Sequence, residues 1–242
     1  KALTKALLEK EYDVIILTRN IQDKELPGPY HTSRINYATW NIEKQTIDPD
    51  AITKADYIIH LAGAGVAEKR WTKKRKQEII NSRVDSGKLI VDSLKRIPNN
   101  VKAVISASAV GWYGPDPLSA GEGRGEAFEE DDPADETFPG TTCKQWEESI
   151  EPVTRLGKRL VLLRTGIVLS NEGGALVEFI KPLRFGVATI LGSGKQIISW
   201  IHIDDLVRIY IAAIENSTMK GVYNAVAPQP VSNKELILQL AK

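Results

Sequence analysis

A short apolar run, a turn of small residues and a long amphipathic segment follow one another in this chain, and together they constrain its fold most. The apolar run predicts a buried strand over Asp56–Ala62, and apolar residues at helical spacing predict a helix over Lys73–Lys95. A strand, turn and helix in this order form the unit of open parallel α/β sheets, which bind ligands at the carboxyl ends of their strands. The turn after His60 is therefore the first candidate binding site.

The same alternation of strands and helices runs through the rest of the sequence. Further strands are predicted at Asp13–Asn20, Ile35–Trp40, Val101–Ser108 and Arg159–Leu169. Strands that alternate with helices predict an α/β fold with a Rossmann-like, doubly wound parallel sheet. A helix predicted at residues 2–10 feeds the first of these strands, so we expect an earlier strand and a tight turn before it in the natural protein.

Composition argues against several classes of protein. The chain has 242 residues, 42% of them hydrophobic, and can bury a full core as one large domain or as one domain with a small lobe. A net charge of +1 gives no reason to expect nucleic acid or a membrane surface as a partner. No apolar run approaches the roughly 18 residues of a membrane-spanning helix. Cys143 is the only cysteine, which rules out an internal disulfide and leaves the cytoplasm as the default location. The three histidines are too scattered to predict a metal site.

Several short motifs give the chain a more specific resemblance. The motifs I-I-H-L-A-G, S-A-S-A-V-G-W-Y-G, R-T-G-I-V-L-S and W-I-H-I-D-D, in this order and spacing, resemble the epimerase-like atypical short-chain dehydrogenase/reductases. The resemblance implies a G-x-x-G-x-x-G turn before Lys1 and a further segment after Lys242. We expect residues 1–170 to form an NADP-binding Rossmann domain and residues 171–242 to supply a small C-terminal substrate lobe together with the last Rossmann elements.

The end of the strand at Asp13–Asn20 indicates which nicotinamide dinucleotide such a domain binds. Rossmann proteins that prefer NAD usually carry Asp or Glu there to accept a hydrogen bond from the ribose 2′-hydroxyl, whereas an arginine can pair with a 2′-phosphate. Here the position reads Thr18-Arg19. The sequence therefore favours NADP over NAD, with Thr18 adding a hydroxyl contact. An ordinary surface arginine is the alternative.

Further cofactor contacts are implied by the resemblance. In these reductases the turn after the strand passes the adenosine half of the cofactor, which implies contacts from Leu61 and Ala62. The small residues of this turn let the backbone approach a nucleotide closely. The resemblance also implies that Glu78 and Arg83, on the following helix, face the cofactor. His60 is predicted to be a hydrogen-bonded core residue rather than an acid or base.

Two apolar residues complete the predicted cofactor site. Ile167 ends the strand expected beside the nicotinamide and is a candidate contact through its backbone or its apolar face. Trp40 borders the adenine pocket or belongs to the core, and the sequence favours neither alternative.

The predicted catalytic residues depart from the superfamily pattern. Active short-chain reductases pair a Ser or Thr with Tyr-x-x-x-Lys on the next helix, so that a tyrosine can move a proton while hydride is transferred. Ser108 fits the hydroxyl position, with Ser106 as the alternative. Lys144 lies near the lysine position, but Gly140 stands four residues before it. Tyr113 belongs to a Y-G turn that is structural in the family, so the usual proton relay is missing.

Two hypotheses about function follow. The first is an NADP-dependent oxidoreductase or epimerase-like enzyme that acts on a small, sugar-like or nucleotide-linked substrate. The second is a non-catalytic NADP(H)-binding protein that senses the nucleotide or acts as a scaffold. The missing Tyr-x-x-x-Lys favours the second hypothesis, and the retained Ser108 favours the first. The sequence does not determine the oligomeric state.

Overall fold

Helices and strands alternate along the chain in a computed structural model, which describes residues 1–20, 33–67, 69–115 and 127–241. The strands are β1 (Val14–Thr18), β2 (Ile35–Asn41), β3 (Thr46–Ile47), β4 (Tyr57–His60), β5 (Ala103–Ala109), β6 (Arg159–Thr165), β7 (Ile167–Leu169), β8 (Ile197–Ile198), β9 (Trp200–His202), β10 (Gly221–Ala225) and β11 (Val231–Ser232). The helices are α1 (Ala2–Glu9), α2 (Pro49–Thr53), α3 (Lys73–Arg96), α4 (Phe138–Ile150), α5 (Ala175–Leu183), α6 (Ile203–Glu215) and α7 (Asn233–Leu240). This is the α/β class that the sequence predicted.

The strands form two larger sheets and two strand pairs. One sheet has the order β1-β2-β3 and the other the order β10-β6-β5-β4, while β7 pairs with β9 and β11 pairs with β8. Pairing is parallel between β1 and β2 and between β4 and β5, where His60 lies opposite Ser106. Within the described ranges, β1 pairs only with β2 and β4 only with β5. The further strand expected before residue 2 stays a prediction.

The strand predicted over Arg159–Leu169 is two strands rather than one. It breaks at Gly166 into β6, in the four-stranded sheet, and β7, which pairs with β9. Gly166 is required there because a Cβ at this position would lie 2.6 Å from the carbonyl oxygen of Ser199. The sequence does place Arg164, Thr165 and Gly166 at the break, but a single glycine within a strand pattern is equally typical of a bulge in one continuous strand.

The chain divides into two compact units, each assembled from separate segments. The first unit comprises Lys1–Ala107, Lys144–Leu162 and Tyr210–Gly221. The second comprises Ser108–Cys143, Leu163–Ile209 and Val222–Lys242. The sequence-based boundary at residue 170 stays a prediction.

Helix α3 supplies much of the core of the first unit. It begins after Thr72, whose side chain accepts a hydrogen bond from the backbone N–H of Arg75. Its last turn carries basic residues, whose positive charge interacts favourably with the negative end of the helix dipole. Ile79, Leu89 and Ile90 on this helix are almost completely buried, as is Ile105 on β5. The predicted helix over Lys73–Lys95 is thus confirmed to within one residue.

Helices α3 and α4 approach each other closely where α3 carries a glycine. A Cβ added to Gly87 would lie 2.2 Å from Oγ and 3.2 Å from Cβ of Ser149 on α4. Ser149 has little freedom to move away, because it is buried and its hydroxyl donates to the carbonyl of Trp146 at 2.7 Å. The glycine therefore sets the separation of the two helices.

We expect Gly87→Ala to destabilise the protein although alanine is the better helix former. Helix propensity alone predicts a gain of about 1 kcal/mol, whereas overpacking a rigid contact costs about 1–3 kcal/mol. Denaturant unfolding should therefore show a net loss, and Ser149→Gly in the Gly87→Ala background should restore part of it. A single Gly87→Ala variant more stable than the parent would contradict this packing.

Candidate functional site

The turn after β4 is held by side chains from α3. The backbone N–H of Ala64 donates to Oγ of Ser82 at 2.9 Å, and Arg83 donates from Nη1 to the carbonyl oxygen of Ala64 at 3.0 Å. Before Ala64 in the same turn, Leu61 is 53% exposed and Ala62 is half-buried. Leu61 and Ala62, which are predicted to contact a nucleotide, thus lie on a turn that side chains of α3 hold in place.

The guanidinium of Arg83 is itself fixed in place. Its Nη1 also donates to the carbonyl of Ile79 at 3.1 Å, and its Cζ lies 4.9 Å from the ring centroid of Trp146. A Cβ at Gly63 would lie 2.9 Å from Cζ of Arg83, so the turn passes directly over the guanidinium. Arg83 supports the turn on which Leu61 and Ala62 lie, and its predicted approach to the cofactor stays a prediction.

Glu78 is turned toward a different arginine. Its carboxylate pairs with Nη1 of Arg75 at 2.8 Å, and the same arginine donates to the carbonyl of Gly65. The hydrogen bond from Arg75 is the main cause that holds the pKa of Glu78 below its usual value. Arg75 is buried and Glu78 is exposed. The predicted approach of Glu78 to a cofactor stays a prediction.

The end of β1 presents a cation. Thr18 is buried and its hydroxyl donates to the carbonyl of Asn20 at 3.0 Å, which closes a short turn. Arg19 is exposed, and its guanidinium makes no hydrogen bond or ion pair with any residue in the described ranges. Trp40 is half-buried on β2, opposite Ile47 of β3.

His60 ends β4 inside a buried hydrogen-bond network. Its Nε2 lies 2.8 Å from Oγ of Ser86 on α3, and its Nδ1 lies 3.0 Å from Oγ of Ser106 on β5. Ser86 directs its hydroxyl at the carbonyls of Ser82 and Arg83, at 2.8 and 2.9 Å, so it accepts from a protonated Nε2. His60 is therefore a neutral, hydrogen-bonded core residue, as the sequence predicted.

Burial is the main cause that lowers the pKa of His60 from 6.5 to about 4, and the positive charge of Arg83 adds to it. The imidazole is only 2% exposed. The network also commits Ser106 to a structural role. Of the two candidate hydroxyls on β5, this leaves Ser108, which is buried.

Within the second unit, two predicted positions lie on strands. Ser108 is near the end of β5, and Ile167 begins β7, where its backbone N–H donates to the carbonyl of Ser199 at 2.8 Å. Ile167 is half-buried and lies opposite Trp200 in a parallel pair. Its expected contact with a nicotinamide stays a prediction.

The first turn of α4 has no room for a tyrosine at the relay position. A Cβ at Gly140 would lie 2.2 Å from the carbonyl oxygen of Asp135, a backbone atom that cannot rotate aside. Lys144, four residues later, is exposed. The departure from Tyr-x-x-x-Lys is therefore built into the backbone as well as the sequence.

A buried arginine that sequence analysis missed organises the second unit. Arg164 is 2% exposed; its Cζ lies 3.6 Å from the ring centroid of Trp112, and its Nη1 donates to the hydroxyl of Tyr113 at 3.1 Å and the carbonyl of Glu130 at 2.9 Å. Tyr113 donates in turn to the side-chain carbonyl of Asn224 at 2.7 Å. Burial is the main cause that raises the pKa of Tyr113. This tyrosine is a structural residue, as the sequence predicted.

A parallel α/β sheet with a strand–turn–helix of this kind defines a Rossmann-type protein. Residues 1–225 match the NAD dependent epimerase/dehydratase family, and the chain belongs to that family, whose members bind nicotinamide cofactors. The resemblance inferred from the short motifs is thus confirmed.

Related proteins match nearly the whole chain. Epimerase family protein Mb2239 of Mycobacterium bovis is 33% identical over 234 residues, covering 97% of this chain and 71% of that protein. Human epimerase family protein SDR39U1 (isoform 2), solved with NADPH, has a TM-score of 0.79 and 27% identity, covering 100% of this chain and 76% of that one. A nucleoside-diphosphate sugar epimerase from Corynebacterium glutamicum has a TM-score of 0.78 and 33% identity, covering 99% of this chain and 46% of that one.

Within the described ranges, no helix has the length and apolar character to cross a membrane. Across the same residues, no group of three or more His, Cys, Asp or Glu side chains is arranged to hold a metal ion.

We expect His60 to make the protein less stable in acid. Above pH 6.5 the imidazole is neutral in both the folded and the unfolded state. Between pH 6.5 and about 4 only the unfolded state binds the proton, so the free energy of unfolding falls as the pH falls. The loss is at most about 3 kcal/mol.

The measurement is denaturant unfolding from pH 7.5 to 4 for the parent, His60→Gln and His202→Gln, in which His202 is an exposed control. The difference between the parent and His60→Gln should shrink as the pH falls. The His202→Gln curve should run parallel to that of the parent. A pH-independent difference for His60→Gln would show that its folded-state pKa is not lowered.

Proposed function

We propose that this chain binds NADP(H) in preference to NAD(H), and that Arg19 selects the 2′-phosphate. The observation that carries the proposal is the exposed guanidinium after β1, which has no ion-pair partner among the described residues. A cation in this position can form charge-assisted hydrogen bonds with a phosphate. The sequence offers no carboxylate there for a ribose 2′-hydroxyl, because Thr18 precedes Arg19 and Asn20 follows it.

The residues of the first unit fit the adenosine half of such a cofactor. In a Rossmann fold the carboxyl ends of parallel strands meet at one edge. Thr18 and Arg19 end β1, and Leu61 and Ala62 follow β4. The solved human relative, which was crystallised with NADPH, supports the same choice of cofactor. We retain Trp40, Glu78 and Ile167 as proposed contacts.

We propose a small-molecule substrate, sugar-like or nucleotide-linked, for an oxidoreductase or epimerase-like reaction. The 33% identity with a nucleoside-diphosphate sugar epimerase supports this substrate class. A bound nicotinamide supplies the hydride acceptor or donor for such chemistry. In this proposal Ser108 donates a hydrogen bond to a substrate oxygen. Residues 171–242 contribute the substrate lobe.

The second candidate function is a non-catalytic NADP(H) sensor or scaffold. Gly140 favours it, because the backbone around this residue excludes the tyrosine that moves a proton in active short-chain reductases. Tyr113 does not replace it, since its hydroxyl is held by Arg164 and Asn224 and burial raises its pKa.

Arg19→Ala should weaken NADPH binding by about 10- to 100-fold, the effect expected from losing charge-assisted hydrogen bonds of about 1.5–3 kcal/mol. Binding of NADH should change little. Fluorescence titration of both nucleotides measures this, with Arg155→Ala as a control at another exposed arginine. Equal affinities of the parent for NADPH and NADH, or NADPH binding unchanged by Arg19→Ala, would refute selection by Arg19.

A screen for turnover distinguishes the two candidate functions, and Ser108→Ala then tests the proposed role of Ser108. A screen of nucleotide sugars and small carbonyl compounds that follows NADPH oxidation should identify a substrate, and Ser108→Ala should lower kcat by at least about 100-fold. Ser193→Ala, in an exposed turn, is the control. Full activity in Ser108→Ala would remove this residue from the mechanism. NADPH binding without turnover of any compound would favour the sensor.

A further inference from the structure

Two consecutive residues of α3 bind both backbone polar groups of one residue, Ala64, in the turn after β4. Ser82 accepts the N–H of Ala64 at 2.9 Å, while Arg83 donates to its carbonyl at 3.0 Å. The Ser82 hydroxyl donates onward to the carbonyl of Ile79 at 2.9 Å, so both of its hydrogen-bonding roles are used. The backbone N–H and C=O of this loop residue are thus both hydrogen-bonded to side chains rather than to a strand or helix ladder.

The two side chains stand on a rigid base. They lie inside a 24-residue helix, and Ser86, one turn further on, is hydrogen-bonded to His60 at the end of β4. The Arg83 guanidinium is sandwiched between the Trp146 ring and the backbone at Gly63. The turn is therefore fixed relative to both the strand before it and the helix after it.

Fixing this turn matters because its sequence, L-A-G-A-G, is otherwise permissive. Two glycines in five residues give a free loop large conformational entropy, which binding would have to overcome. The hydrogen bonds from Ser82 and Arg83 to Ala64 reduce that cost in advance, and Leu61 on the same turn is exposed. A preorganised turn binds its ligand more tightly than a mobile one with the same contacts.

We infer that Ser82 and Arg83 are positioning residues that hold residues 61–65 in the shape that binds the nucleotide. The inference rests on the proposed nucleotide site. It assigns Arg83 a role through the backbone of Ala64 rather than through direct pairing with a cofactor phosphate. Ser82 shares the role although it carries no charge.

The test compares Ser82→Ala, Arg83→Met and Arg83→Lys with Arg96→Met, a control at an exposed arginine near the end of the same helix. Three quantities are measured on the full chain: amide hydrogen exchange of residues 61–66, calorimetric affinity for NADPH and for 2′,5′-ADP, and the thermal unfolding midpoint. Affinities are measured well below the midpoint, so that every variant is folded.

Ser82→Ala and Arg83→Met should speed amide exchange in residues 61–66. Each should also lower the affinity for both nucleotides by about tenfold, because about one net hydrogen bond is lost. Arg83→Lys keeps the charge but loses the planar fork, so it should resemble Arg83→Met. The control should change none of these quantities. Ser82→Ala, the smaller change, keeps the test valid if Arg83→Met does not fold.

Three results would overturn the inference. The first is amide exchange in residues 61–66 that Ser82→Ala and Arg83→Met leave unchanged. The second is a lowered unfolding midpoint in these variants with unchanged nucleotide affinity. The third is an Arg83→Lys variant that binds as tightly as the parent, because that result would indicate charge pairing with a phosphate. Failure of the parent to bind either nucleotide would instead refute the proposed function. The exchange experiment would still decide whether Ser82 and Arg83 fix the turn.

Discussion

The rest of the candidate site depends on the buried imidazole of His60. It joins three elements, because it ends β4 and bonds to Ser86 of α3 and Ser106 of β5. Each of these hydroxyls is buried, and an unsatisfied buried polar group costs about 1–3 kcal/mol. The network therefore fixes how β4 and α3 face each other. The conformation of the turn that joins β4 to α3 depends on that arrangement.

The imidazole of His60 stays neutral beside the cationic guanidinium of Arg83, and the groups around the two side chains explain why. Burial and the charge of Arg83 both favour the uncharged form of His60. The charge of Arg83 is satisfied by carbonyl oxygens and by the Trp146 ring. Because the imidazole is uncharged, the hydrogen bonds of His60 position β4 and α3 but add no charge to the site. The positive charge proposed to bind the 2′-phosphate lies instead on the exposed Arg19, which follows β1.

Sequence reasoning succeeded where a residue acts through local pattern and failed where it acts through distant partners. The α3 helix and the core role of His60 follow from periodicity and burial. The positions of Ser82, Arg83 and Ser86 held a further signal, because they continue the buried stripe of Ile79 at helical spacing yet are polar. By contrast, the burial of Arg164 depends on Glu130 and Tyr113, which lie 34 and 51 positions away in the sequence. No local pattern encodes that arrangement.

Most of the proposed cofactor contacts lie in a different unit from the candidate catalytic positions. The proposed contacts other than Ile167 lie in the first unit, whereas Ile167, Ser108 and Gly140 lie in the second. Gly140 is held against the backbone of Asp135, so restoring a tyrosine there would require a different loop and not a single substitution. Any proton transfer must therefore use a group other than the usual tyrosine. Tyr113 is held by Arg164 and Asn224 and does not replace that tyrosine, so in the proposed mechanism Ser108 is the candidate hydroxyl among the residues that the structure describes.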